Sequence, residues 1–92
     1  MLVKEITIEN EIGLHDRLAT MLIRKASKYK SEIMISKGKA KMNAKSVLGL
    51  CCLGIGKGDT IEIEVCGEDE EVAMREIIEY ILNLNNEKET NV

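Results

Sequence analysis

The single histidine of the chain, His15, stands in Gly13-Leu14-His15-Asp16-Arg17, with the guanidinium of Arg17 two positions beyond it. A neutral imidazole nitrogen is a nucleophile at cellular pH, and an arginine beside it is a permanent cation suited to the oxygens of a phosphoryl group. An apolar stripe with helical spacing begins just after His15, which places the imidazole at a helix start. Free backbone N–H groups there point outward with partial positive charge and form an anion site. The chemistry these residue types allow is therefore acceptance of a phosphoryl group on His15, assisted by Arg17. By spacing alone, a lone surface histidine next to an arginine is more often a plain polar residue.

A second candidate is Ser46, in Asn43-Ala44-Lys45-Ser46 ahead of another short apolar stretch. A serine at that place caps a helix, and a phosphate added to it would be stabilised by the same helix start. Other constellations are weaker. Cys51, Cys52 and Cys66 are odd in number, two of them adjacent, and no second Cys/His pair has ligand spacing, so neither a disulfide framework nor a metal is expected. Gly54-Ile55-Gly56-Lys57-Gly58 has Gly58 where a phosphate-binding loop needs Ser or Thr, and reads as a turn. The acidic run from Glu68 to Glu71 fits the positive pole of a helix rather than a cation site.

The elements that must position these residues follow from periodicity. Val3 to Glu9 carries Ile6 and Ile8 two apart and predicts a strand. Leu18, Ala19, Leu22, Ile23 and Ala26 recur three and four apart and predict an amphipathic helix over 16–29. Ile33 and Ile35, then Lys37-Gly38 and Lys39 to Met42, predict a hairpin. A short helix is expected from Ser46 through Val47, Leu48, Leu50, Cys51 and Leu53. Ile61, Ile63 and Val65 alternate strictly with Glu62, Glu64 and Cys66, the pattern of a strand wet on one face only. A long helix follows on Ala73, Met74, Ile77, Ile78, Ile81 and Leu82, and the polar stretch 85–92 reads as a tail.

This order, β-α-β-β-α-β-α, predicts an α+β fold: a four-stranded, mostly antiparallel sheet covered on one face by three helices, in a single domain over 1–84. At 92 residues the chain is too short to enclose a deep substrate cavity, so its chemistry belongs on the surface. Aromatic residues are 2% of the chain, with neither Trp nor Phe, which leaves an aliphatic core. That scarcity and a net charge of -3 disfavour nucleic acid as a partner. No apolar run is long enough for insertion into a membrane, and no leader pattern opens the chain, so a cytoplasmic location is expected.

Gly13-Leu14-His15-x-Arg17, Ala26-Ser27-Lys28-Tyr29 and Asn43-Ala44-Lys45-Ser46-Val47-Leu48-Gly49-Leu50, in that element order, resemble the bacterial HPr phosphocarriers over nearly the whole domain. The resemblance implies an open-faced β-sandwich and a carrier, not an enzyme, that needs no cofactor. It implies that His15 takes phosphate from enzyme I, with Arg17 assisting, and passes it to the IIA domains of sugar permeases. It further implies that Ser46 is a target of HPr kinase/phosphorylase, and that the Ser46-modified form engages a catabolite-control regulator. Leu18, Thr20, Met21, Val47, Leu48 and Cys51 are then expected to form a modest apolar docking surface around His15. A regulatory paralogue acting mainly through Ser46 is the alternative.

Two departures touch the active centre. Where most of the family has Ala-Arg-Pro after the histidine, this chain has Asp16-Arg17-Leu18, and Ile12 replaces a small polar residue. Asp16 favours a first helical turn by about 0.3–1 kcal/mol, yet it sets a negative charge beside an incoming phosphoryl group and competes for Arg17. Leu18 gives up the fixed φ that proline supplies at a helix start. The Asp16→Ala variant is expected to accept phosphate on His15 faster than the native chain; equal initial rates would refute the inhibitory role of Asp16.

Overall fold

The computed structural model describes residues 1–9, 16–46 and 54–86, with the backbone alone for 16–19 and 84–86. Within them lie β1 (Leu2–Thr7), α1 (Asp16–Ala26), β2 (Glu32–Lys37), β3 (Ala40–Asn43), β4 (Thr60–Cys66) and α2 (Glu70–Asn86). The strands pair antiparallel throughout in the order β1-β4-β2-β3. The expected α+β sheet with helices on one face is therefore present. The short helix expected through Val47, Leu48, Leu50, Cys51 and Leu53 lies outside the described residues.

The strict alternation of β4 has its consequence here. Ile61, Ile63 and Val65 are at most 1% exposed, while Thr60 and Cys66 face solvent and Glu62 and Glu64 are half-buried. Register carries the same face across the sheet, since Ile61, Ile63 and Val65 stand opposite Ile6, Lys4 and Leu2 on β1, and Ile35 and Ile33 on β2 meet Ile63 and Val65. A one-residue slip of any of these pairs would turn its apolar set to water, so burial itself holds the register. Gly38 closes the β2–β3 turn at φ +60°, a region that costs a side chain-bearing residue strain.

Among the described residues, two helices cover this face. Leu22 and Ala26 of α1 and Ala73, Met74, Ile77 and Ile81 of α2 are buried on it, with Ile8, Ala44 and Ile55 sealing the ends. The stripe on α2 is narrower than its sequence suggests: Ile78 is half-buried and Leu82 is 46% exposed, because the two lie four apart on the flank of the face that buries Ile77 and Ile81. It also continues through Asn85 and Asn86, into the stretch whose polarity suggests a tail. At the other end, α1 stops at Ala26 rather than Tyr29, and residues 27–29 form a turn.

That turn is clamped by α2. The Tyr29 hydroxyl donates to the Glu76 carboxylate, and Lys25 pairs with the same carboxylate at 3.8 Å. Burial first, then the hydrogen bond to Glu76, pushes the Tyr29 pKa up to about 12. Asp69, just before α2, accepts hydrogen bonds from the backbone N–H groups of Lys30 (2.8 Å) and Ser31 (2.9 Å) and from the Ser31 hydroxyl. The Ser31 hydroxyl foremost, then the Lys30 N–H, holds the Asp69 carboxyl below the usual carboxylate range. The approach is close enough that a Cβ on Gly67 would come within 2.7 Å of the Ser31 backbone, so glycine is required there.

Truncation of the central core residue, Ile63→Ala, is expected to cost about 2–5 kcal/mol in denaturant unfolding, because Ile63 is fully buried on the strand that β1 and β2 flank.

Candidate functional site

α1 begins at Asp16, so the chain enters the helix directly from His15. His15 itself lies outside the described residues, as do Val47, Leu48 and Cys51. The side chains of Arg17 and Leu18 fall in the part of α1 described by backbone alone. Of the expected docking residues, Thr20 and Met21 are exposed, Met21 by 43%, on the face of α1 opposite the buried Leu22 and Ala26. Ser46 is half-buried at the end of the described segment that follows β3.

The structure does define how the chain is held on each side of residues 10–15 and 47–53. After β1, the Ile8 N–H donates to the Asp59 carbonyl at 2.9 Å, and the Gly58 N–H returns to the Ile8 carbonyl at 2.7 Å. Asp59 thereby ties the strand end that leads toward His15 to the loop that leaves residue 53. Its side chain closes that loop on itself, accepting the Gly56 N–H at 2.8 Å and pairing with Lys37 at 3.0 Å. Lys37 also donates to the Gly54 carbonyl at 2.8 Å. The Gly56 N–H foremost, then Lys37, holds the Asp59 carboxyl below its ordinary range.

On the other side, the segment 43–46 is tied to β2 and to the end of α1. The Ala44 N–H donates to the Ile33 carbonyl at 2.8 Å, and Lys45 Nζ donates to the Tyr29 carbonyl at 2.8 Å. The segment that carries Ser46 is thus tethered, through the Lys45 side chain, to the turn that follows α1. Lys37, Asn43, Lys45 and Asp59 are residues that a search for reactive groups passes over. Asn43 carried a signal: Asn two residues ahead of the N–H it accepts is a turn signature. The pairing of Lys37 with Asp59, 22 positions on, has none.

The acidic run is likewise occupied within the fold. Asp69 serves Lys30 and Ser31, and Glu70 accepts the Gly67 N–H at 3.2 Å. Among the described residues no cluster of His, Cys, Asp or Glu could hold a metal ion, and no described helix is long and apolar enough to cross a membrane.

An antiparallel sheet backed on one face by helices defines an open-faced β-sandwich. The family model for the HPr component of the phosphotransferase system, described by its phosphorylation site, matches residues 2–83, and the chain belongs to this family. It is 41% identical over 81 residues to the phosphocarrier protein HPr of Neisseria meningitidis, covering 88% of this chain and 91% of that one. It is 40% identical to the HPr-like protein Crh of Halalkalibacterium halodurans, over 88% of this chain and 96% of the relative. Among solved structures, HPr from Thermoanaerobacter tengcongensis superposes with a TM-score of 0.91 at 35% identity, covering 96% of this chain and 99% of that one.

Because the Asp59 carboxyl is depressed, its contribution to the loop is present above the ordinary carboxylate pKa and is lost as pH falls through the lower folded value. In Lys37→Met, a carbon-detected NMR titration is expected to find the Asp59 pKa raised from its native value, yet still below that of a free aspartate because the Gly56 N–H remains.

Proposed function

We propose that this phosphocarrier accepts a phosphoryl group from enzyme I on His15, passes it to the IIA domains of sugar permeases, and is regulated by phosphorylation of Ser46. The observation that carries the reading is the match of the family's phosphorylation-site model across residues 2–83, with His15 directly ahead of the first residue of α1. A neutral His15 nitrogen attacks phosphorus, and the new P–N bond forms as the donor's bond to phosphorus breaks; the next acceptor repeats the exchange in the forward direction. The first backbone N–H groups of α1 and the cation of Arg17 stabilise the added charge without burying it. A P–N bond must stay labile and reachable for in-line transfer, so surface placement suits the task.

Docking of enzyme I and of IIA domains on Leu18, Thr20, Met21, Val47, Leu48 and Cys51 is supported by the exposure of Thr20 and Met21 beside the core-facing Leu22. The chain acts as a single domain over residues 1–84, in the cytoplasm, where its soluble partners act. HPr kinase/phosphorylase would modify Ser46, and a catabolite-control regulator would read the modified form.

A second reading, a regulatory paralogue acting mainly through Ser46, is favoured by the 40% identity to an HPr-like Crh protein and by Asp16 and Leu18 beside the histidine. Retention of His15 and Arg17 supports the carrier. Intact mass spectrometry after incubation with phosphoenolpyruvate and enzyme I separates the two. An acid-labile phosphoryl adduct is expected on the native chain and none on His15→Ala; an unmodified native chain, with a related HPr modified in the same tube, would leave the paralogue.

A further inference from the structure

The segment that delivers Ser46 is more tightly specified than a connection after a strand requires. Its three consecutive backbone N–H groups each have a different acceptor: Ala44 to the Ile33 carbonyl at 2.8 Å, Lys45 to Asn43 Oδ1 at 2.7 Å, and Ser46 to the Asn43 carbonyl at 3.1 Å. Asn43 thus accepts twice, through its side chain and its backbone, and closes an Asx turn nested in a wider turn. The side chains pin the turn from both sides. Ala44 is 1% exposed against the core, and Lys45 Nζ donates to the Tyr29 carbonyl at 2.8 Å. Tyr29 is itself held through its hydroxyl to Glu76 of α2.

The two polar side chains are not needed to build the core. Asn43 is exposed on an edge strand, and the ammonium of Lys45 serves a carbonyl beyond the end of α1, where a cation complements the negative pole of the helix. Their common product is one backbone course into Ser46. An enzyme that modifies a serine must find its hydroxyl in a single geometry, and the apparent KM rises as the inverse of the fraction of substrate held in that geometry.

We propose that Asn43 and Lys45 are positioning residues that hold Ser46 in the conformation a serine kinase engages. The proposal rests on Ser46 being the regulatory serine, as proposed above, and adds what presents it. Neither residue touches the transferred phosphate; both act through the turn. Loss of one of these hydrogen bonds lowers the ratio of ordered to disordered turn by about threefold to tenfold, and KM for the carrier rises as the ordered fraction falls, by up to the same factor, while kcat stays unchanged.

The test measures Ser46 phosphorylation by HPr kinase with ATP, at varied carrier concentration, for the native chain, Asn43→Ala, Asn43→Asp, Lys45→Met and Lys45→Arg. Amide hydrogen exchange at Lys45 and Ser46 reports the turn directly. Asn43→Ala and Lys45→Met are expected to exchange faster and to show the raised KM. Asn43→Asp, which keeps the Asx acceptor, and Lys45→Arg, which keeps the cation, restore both readouts. Faster exchange in Asn43→Ala with a native KM overturns the positioning role while leaving Ser46 as the target. A native chain left unmodified beside a phosphorylated related HPr overturns the regulatory reading of Ser46, and the positioning role with it.

Discussion

One-sided burial governs this molecule. The sheet offers one apolar face, built on β4 and β2, and the described helices lie on that face with mainly aliphatic side chains, Tyr80 packing at the margin. Without large aromatic groups to thicken it, the core is a single layer of Ile, Leu, Val, Ala and Met. A layer this thin cannot enclose a substrate. Chemistry is thereby assigned to the rim, where connections leave the sheet and helices begin. A carrier whose labile phosphoryl group must be seen by two partners in turn is well served by that location.

The rim is held by polar ties rather than by more core. Asp59 joins the end of β1 to the loop before β4, Asp69 joins the turn after α1 to the start of α2, and Lys45 joins the turn after β3 to the end of α1. Each tie spans a place where the backbone would otherwise leave a donor or acceptor unmade, and each is half-open to water. Exposed ties of this kind contribute little individually to global stability. Their effect is local: they set where the segments flanking His15 and Ser46 enter and leave. Stability and function are in this sense divided between the aliphatic layer and its polar edges.

Much of the fold was legible because its signals are periodic. Ile61, Ile63 and Val65 alternate, Leu22 and Ala26 lie four apart, and Ala73, Ile77 and Ile81 repeat the same spacing, so each element declares its buried face before any partner is known. The elements differ from expectation at their ends. α1 stops at Ala26, where the following turn is captured by α2, and α2 leaves Leu82 exposed on the flank of the face that buries Ile81. An end is decided by what a segment meets, which periodicity does not encode.

For the site, residue types made His15, Arg17 and Ser46 candidates, since nucleophilicity, permanent charge and a capping hydroxyl are properties of side chains at short spacing, and the resemblance of the surrounding motifs is what singled them out. The strand order β1-β4-β2-β3 and the ties of Asp59 to Lys37, Asp69 to Ser31 and Lys45 to Tyr29 were decided only in three dimensions. These contacts join residues remote in the chain, and their energies exist only after the aliphatic face has closed and brought the partners within hydrogen-bonding distance. Local chemistry is written in the order of residues; the positions from which it acts are set by the packing that follows.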